Sequence, residues 1–119
     1  MPPVGDMVRD NVFSAQRLAD LVSALPNMRV VHLSSSSVHG RIEVDRLTAE
    51  TPIIYPDLYG ETKHLAEQIL AASTEAVVSL RLPAIIGQGA TRNWTVSVLA
   101  KLRAGETVRI FNADAPFNN

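Results

Sequence analysis

The residues best suited to chemistry lie between Val30 and Glu67. An apolar run, Val30-Val31-His32-Leu33, ends in four serines, Ser34 to Ser37, followed by Val38-His39-Gly40. Further on, Tyr59-Gly60-Glu61-Thr62-Lys63 opens a segment of helical periodicity. Residues four apart on a helix share a face, with Cβ atoms roughly 5–6 Å apart, so Tyr59 and Lys63 stand side by side. A phenol ionises near pH 10 in water, about three units too high for a base at neutrality. A neighbouring ammonium favours the phenolate. A tyrosine tuned in this way can take a proton from a hydroxyl or return one to a developing alkoxide. A serine held across from it, Ser35, can orient the reacting oxygen.

That chemistry is the proton half of alcohol–carbonyl interconversion. The hydride half needs an acceptor that no side chain supplies, which implies a nicotinamide cofactor. Each signal is ordinary by itself. A Tyr-x-x-x-Lys pair also describes a solvated helix face, and a serine run is usually a loop. Their joint occurrence, one at a strand end and the other at the next helix start, favours a site.

The elements around these residues follow from periodicity. Residues 6–25 carry Val8, Val12, Leu18, Leu21, Val22 and Leu25 mostly at three- and four-residue steps, the pattern of an amphipathic helix, and Pro26-Asn27 ends it. Residues 28–33 form an apolar run suited to a strand buried on both faces. Residues 40–57 are polar and contain Thr51-Pro52 and Tyr55-Pro56, so they read as a loop. A second helix spans 58–72, capped by Asp57, with Leu65, Ala66, Ile69 and Leu70 on its apolar face. Residues 76–82 are a second buried strand, 87–89 a loop, 93–103 a third helix with Trp94, Val98, Leu99 and Leu102, and 108–111 a short strand. This alternation predicts an α/β parallel sheet with crossover helices.

The bulk properties narrow the function classes. The chain has 119 residues, a formal net charge of -1 and 46% hydrophobic residues. Such a length allows one domain at most. A balanced charge with scattered arginines argues against a nucleic-acid or anionic membrane surface. With no cysteine, thiol catalysis and a disulfide framework are excluded. His32, His39 and His64 lack ligand spacing, so no metal site is expected. No apolar run approaches the roughly 18 residues of a membrane span, the N-terminus lacks the pattern of a secretory signal, and a cytoplasmic location is expected.

The motifs also resemble a known family. Leu33-Ser34-Ser35-Ser36-Ser37-Val38-His39-Gly40 is similar to the Ser-Ser-x-x-Val-Tyr-Gly strand end of the extended short-chain dehydrogenase/reductases, the NAD-dependent epimerase/dehydratase family. Pro56-Asp57-Leu58-Tyr59-Gly60-Glu61-Thr62-Lys63, with Glu67 one turn on, resembles its Pro-x-x-Tyr-Gly-x-Ser-Lys-x-x-x-Glu helix. Arg81-Leu82-Pro83-Ala84-Ile85-Ile86-Gly87 resembles the following strand and loop, and Asn11-Val12 the start of its Asn-Val-x-Gly-Thr segment.

The resemblance implies Ser35, Tyr59 and Lys63 as the catalytic residues. It implies Ser34, Tyr59, Lys63, Pro83 and Ile86 as contacts of NAD or NADP, and Ser36 and Ala84 on the substrate side. The implied substrate is a nucleotide sugar or related alcohol, acted on by an epimerase or dehydrogenase. Asn11 is expected to anchor a helix, relay water or simply face solvent. A homodimer packed through the first helix and the Tyr59 helix is implied by analogy alone.

Departures from the family pattern limit the expectation. His39 stands where the family has Tyr and is read as packing, without a catalytic role. Ser36-Ser37 replace the Asp-Glu pair of the sugar-nucleotide dehydratases, so a 4,6-dehydratase is not expected. Ala84 replaces a substrate-side Asn of many epimerases. The six glycines, Gly5, Gly40, Gly60, Gly87, Gly89 and Gly105, make no Gly-x-x-Gly-x-x-Gly turn to receive a pyrophosphate. The expected architecture is therefore a partial Rossmann-type parallel sheet with flanking helices, lacking the N-terminal glycine-rich βαβ unit. Residues 1–119 read as the central catalytic segment of such a domain, truncated at both ends, and inactive in isolation. The competing functional expectation is a non-catalytic fragment or binding module that keeps part of the fold without binding the cofactor.

Overall fold

A computed structural model describes residues 2–91 and 93–110. The chain divides into two compact units, Met1–Leu82 and Pro83–Asn119. The first is an α/β arrangement built on a parallel pair of strands, part of a Rossmann-type sheet.

The first unit opens with α1 (Val4–Met7), a π-helical segment (Val8–Phe13) and α2 (Ser14–Ser23), which join through residues of helical backbone geometry. Strand β1 (Val30–Ser35) follows and runs into a 3-10 turn over Ser36–His39. After the irregular residues 40–57 come α3 (Leu58–Ser73) and β2 (Val77–Leu82). The strands pair in parallel, with Val30 opposite Val77 and Ser35 opposite Leu82. Both carboxyl ends therefore lie at one edge of the sheet, where ligands of open α/β sheets bind.

Helix α3 packs on α2 and on both strands. Its core with α2 is made of Ala15, Ala19, Ala66 and Leu70, with Leu18, Ile69 and Val77 against them. Three alanines in that set bring the two helix backbones close. They also change the expected apolar face, because Leu21 and Leu65 are exposed while the smaller side chains beside them are buried.

Three further expectations need correction. The ladder runs two residues beyond the predicted strand end, because Ser34 and Ser35 continue the register opposite Arg81 and Leu82. Within the first unit the helices cover one face of the strands. Val30 and Ser34 point into the core, whereas Val31, Leu33, Val78 and Leu80 on the opposite face are exposed, since successive side chains alternate across a strand and α3 lies on one side. The predicted strand at 108–111 is absent over 108–110, where no ladder partner is available among the described residues; Phe111 lies outside them.

The second unit contains α4 (Trp94–Arg103), capped by Asn93, whose Oδ1 accepts the Val96 amide at 3.1 Å. No helix among the described residues is long and apolar enough to cross a membrane.

Candidate active site

The turn that carries Tyr59 is held from three directions. Asp57 caps α3, its Oδ1 accepting the Gly60 amide at 2.7 Å. The Thr62 hydroxyl donates to the Tyr59 carbonyl at 2.8 Å and accepts from Asn11 Nδ2 at 2.9 Å. Asn11 sits in the π segment, and this hydrogen bond joins that segment to α3. Third, Gly60 lies against the serine turn so closely that a Cβ there would come within 2.2 Å of the Ser37 carbonyl oxygen. A hydrogen in place of a side chain lets the first turn of α3 rest on the 3-10 turn. The sequence alone does not mark Gly60 for this role; its place next to Tyr59 in the motif is the one available signal.

Helix α3, which carries Tyr59 and Lys63, packs on β1 and on the 3-10 turn capped by Ser35, and the hydrogen bonds of Ser35 and Lys63 are not to one another. Ser35 ends β1, and its Oγ accepts the Ser37 amide at 3.2 Å, capping the 3-10 turn. The Tyr59 side chain is partly exposed. Lys63 Nζ donates to the Leu33 carbonyl at 2.6 Å. That carbonyl belongs to the outer edge of β1. The Val30 amide donates to Ala76 in the direction of β2, so in a parallel pair Val31, Leu33 and Ser35 present their peptide groups on the opposite edge. Burial pushes the Lys63 amine below its ordinary value, with the Glu67 charge opposing. Beneath it, the ring of His32 contacts the Ser79 hydroxyl at 3.2 Å. Burial, and then the Lys63 charge, hold that ring below the usual histidine range against the pull of Glu67.

Ser34 faces the opposite side of the sheet from Ser35. Its buried hydroxyl donates to Glu67 Oε1 at 2.5 Å, which commits it to the helix side of the sheet. Glu67 is also clamped by Arg81: Nη2 reaches Oε2 at 2.7 Å and Nε reaches Oε1 at 3.0 Å. This is the paired fork geometry of a strong arginine–carboxylate contact. Burial alone would raise the Glu67 carboxyl, but hydrogen bonds from Arg81 and Ser34, with the charges of Arg81 and His64, hold it below the ordinary range. Arg81 Nη1 in turn lies 3.4 Å from His39 Nε2. One buried network thus joins β1, the 3-10 turn, α3 and β2. The sequence signal for it was a carboxylate at Glu67 between Ala66 and Leu70, on the face that the periodicity marks as apolar.

A cavity of about 520 Å³ opens beside this network, lined by Ser36, His39, Thr48, Glu67, Ser79 and Arg81 among others. Of the expected site residues only Ser36 lines it, while Ser35, Tyr59 and Lys63 do not.

Pro83, Ala84 and Ile86 belong to the second unit and are exposed. Within that unit the 83–90 loop is tied to α4 by Asn93 Nδ2, which donates to the Ile85 carbonyl at 2.8 Å.

The fit to a dinucleotide is partial. Tyr59 and Lys63 offer a hydroxyl and an amine of the kind that engage a nicotinamide ribose. The helix N-terminus that could receive phosphate, at Pro3-Val4-Gly5, has only one glycine and no side-chain cap. Among the described residues no group of three or more His, Asp or Glu side chains is arranged to hold a metal.

Comparison with curated proteins finds no match. The model of the NAD dependent epimerase/dehydratase family matches residues 3–115, nearly the whole chain, and the chain belongs to that family.

Proposed function

We propose that this chain carries the acid–base half of an NAD(P)-dependent epimerase or dehydrogenase acting on a nucleotide sugar or a related alcohol. The observation that carries the reading is the contact of Gly60 with the Ser37 carbonyl. It brings the turn bearing Tyr59 against the turn that begins at Ser35, at the carboxyl ends of two parallel strands. Tyr59 Oη takes the proton of the substrate hydroxyl. Ser35 Oγ orients that oxygen and stabilises its developing charge. Lys63, one turn along the same face, supplies positive charge and a donor for ribose hydroxyls; to do so it leaves the Leu33 carbonyl. When bound, the nicotinamide supplies the hydride acceptor. Pro83 and Ile86 are proposed to line the cofactor, and Ser36 and Ala84 the substrate.

The test is turnover of nucleotide sugars, with oxidation followed by NADH absorbance and epimerisation, which makes no net NADH, followed by product analysis. Tyr59→Phe is expected to lower turnover at least about 100-fold, the usual scale of general acid–base catalysis, while cofactor binding is kept. Persistent turnover would overturn the assignment.

A second reading, a binding module without catalysis, draws on the present commitments of the side chains. Lys63 is bonded to Leu33 and Ser35 to Ser37, and the pyrophosphate turn is not among these residues. Titration of the chain with NAD separates the readings, since micromolar binding argues against the module.

A further inference from the structure

His39 is 2% exposed, and both of its ring nitrogens have partners. Nδ1 lies 3.0 Å from the Thr51 carbonyl oxygen, and Nε2 lies 3.4 Å from Arg81 Nη1. A carbonyl oxygen only accepts, and a guanidinium nitrogen only donates. Nδ1 must therefore carry hydrogen, and Nε2 must present its lone pair. The neutral Nδ1–H tautomer alone satisfies both contacts. The other tautomer and the imidazolium each set a donor against Arg81.

The groups facing the ring come from three elements. Arg81 faces the ring from β2, and its charge is matched by Glu67 from α3. Leu47, Thr48 and Ala49 come from the facing segment, and none of them titrates. That segment, 40–57, is otherwise held locally: Ile54 donates to the His39 carbonyl at 2.8 Å, Arg41 to the Ile54 carbonyl at 2.7 Å, and Thr48 to the Thr51 hydroxyl at 2.9 Å.

We infer that His39, as its neutral Nδ1–H tautomer, is a positioning residue that ties the 40–57 segment to the Ser34–Glu67–Arg81 network.

Nitrogen-15 spectra of the histidine rings in the whole chain give the first measurement. At neutral pH His39 is expected to show a pyrrole-type Nδ1 and a pyridine-type Nε2; a dominant Nε2–H tautomer would overturn the inference. The second measurement is hydrogen exchange at the Arg41 and Ile54 amides, corrected for intrinsic rates. One lost hydrogen bond is worth up to about tenfold in an opening equilibrium. His39→Asn keeps a donor at the Nδ1 position and should hold protection within about threefold of the wild type. His39→Gln moves the polar group to the Nε2 position and should lose about tenfold. Equal losses in both variants would reduce His39 to packing.

Discussion

Replacing Gly60 by alanine tests how the Tyr59 turn is held. In an ordinary helix the change from glycine to alanine stabilises by up to about 1 kcal/mol, because glycine has more backbone freedom to lose. Here the new Cβ would meet the Ser37 carbonyl oxygen at 2.2 Å and the Ser37 carbonyl carbon at 2.8 Å. Ordinary contact begins near 3.4 Å, so the turns must part by about 1.2 Å (3.4 − 2.2). The obstructing atoms are backbone, in a turn capped by Ser35, and cannot swing aside as a side chain would. Overpacking of this kind costs about 1–3 kcal/mol. The upper end applies, and subtracting the propensity gain leaves a net destabilisation of about 2 kcal/mol. Gly5→Ala is the matched control, since nothing lies within 4 Å of its Cβ, and a gain of up to about 1 kcal/mol is expected there. Urea unfolding followed by circular dichroism measures both. If Gly60→Ala is as stable as the wild type, the close approach does not position Tyr59.

Other perturbations probe the network and its charges. Arg81→Met strands the Glu67 carboxylate, whose side chain is only 10% exposed. Breaking a buried pair in this way costs about 3–5 kcal/mol, and partial exposure of Arg81 favours the low end. Adding Glu67→Gln removes the stranded charge while keeping a partner for Ser34, so the double variant should be more stable than Arg81→Met alone in the same urea assay; equal or lower stability would contradict the charge argument.

The pH dependence has two acid stages. The ordinary histidine value is 6.5 and His32 is held below it, so stability is fully present above 6.5 and falls as pH drops toward the lower folded value. The ordinary glutamate value is 4.5 and Glu67 is also held below it, so its contribution is present above 4.5 and is lost as pH falls through the lower folded value. Urea midpoints against pH should show both stages. His32→Phe should remove the first and leave the second, and a first stage that survives this substitution would assign it elsewhere.

Much of the local structure was legible because it depends on neighbours in the chain. The Tyr59–Lys63 pairing follows from helical spacing, the Asp57 cap from its place before an apolar periodic run, and the 40–57 irregularity from its two X-Pro steps. The apolar runs at 28–33 and 76–82 marked the strands and, with the helices between them, the parallel α/β class. Residue types at the serine turn and the Tyr59 helix were enough to bring out the family likeness.

Tertiary structure decided what depends on distance across the chain. Apolar composition cannot say whether one or both faces of a strand are covered, and here Val31, Leu33, Val78 and Leu80 stay exposed. Register with β2, not hydrophobicity, carried β1 into Ser34 and Ser35. Alternation then sent the Ser34 hydroxyl to Glu67 and left Ser35 to cap the turn. Glu67, Arg81, His39 and Thr51 are far apart in sequence, and their spacing carries no trace of the network, because it forms only when two strands, a helix and a turn converge. Helix propensity marks Gly60 as a weak residue for its place; the Ser37 carbonyl against it makes glycine the residue that fits.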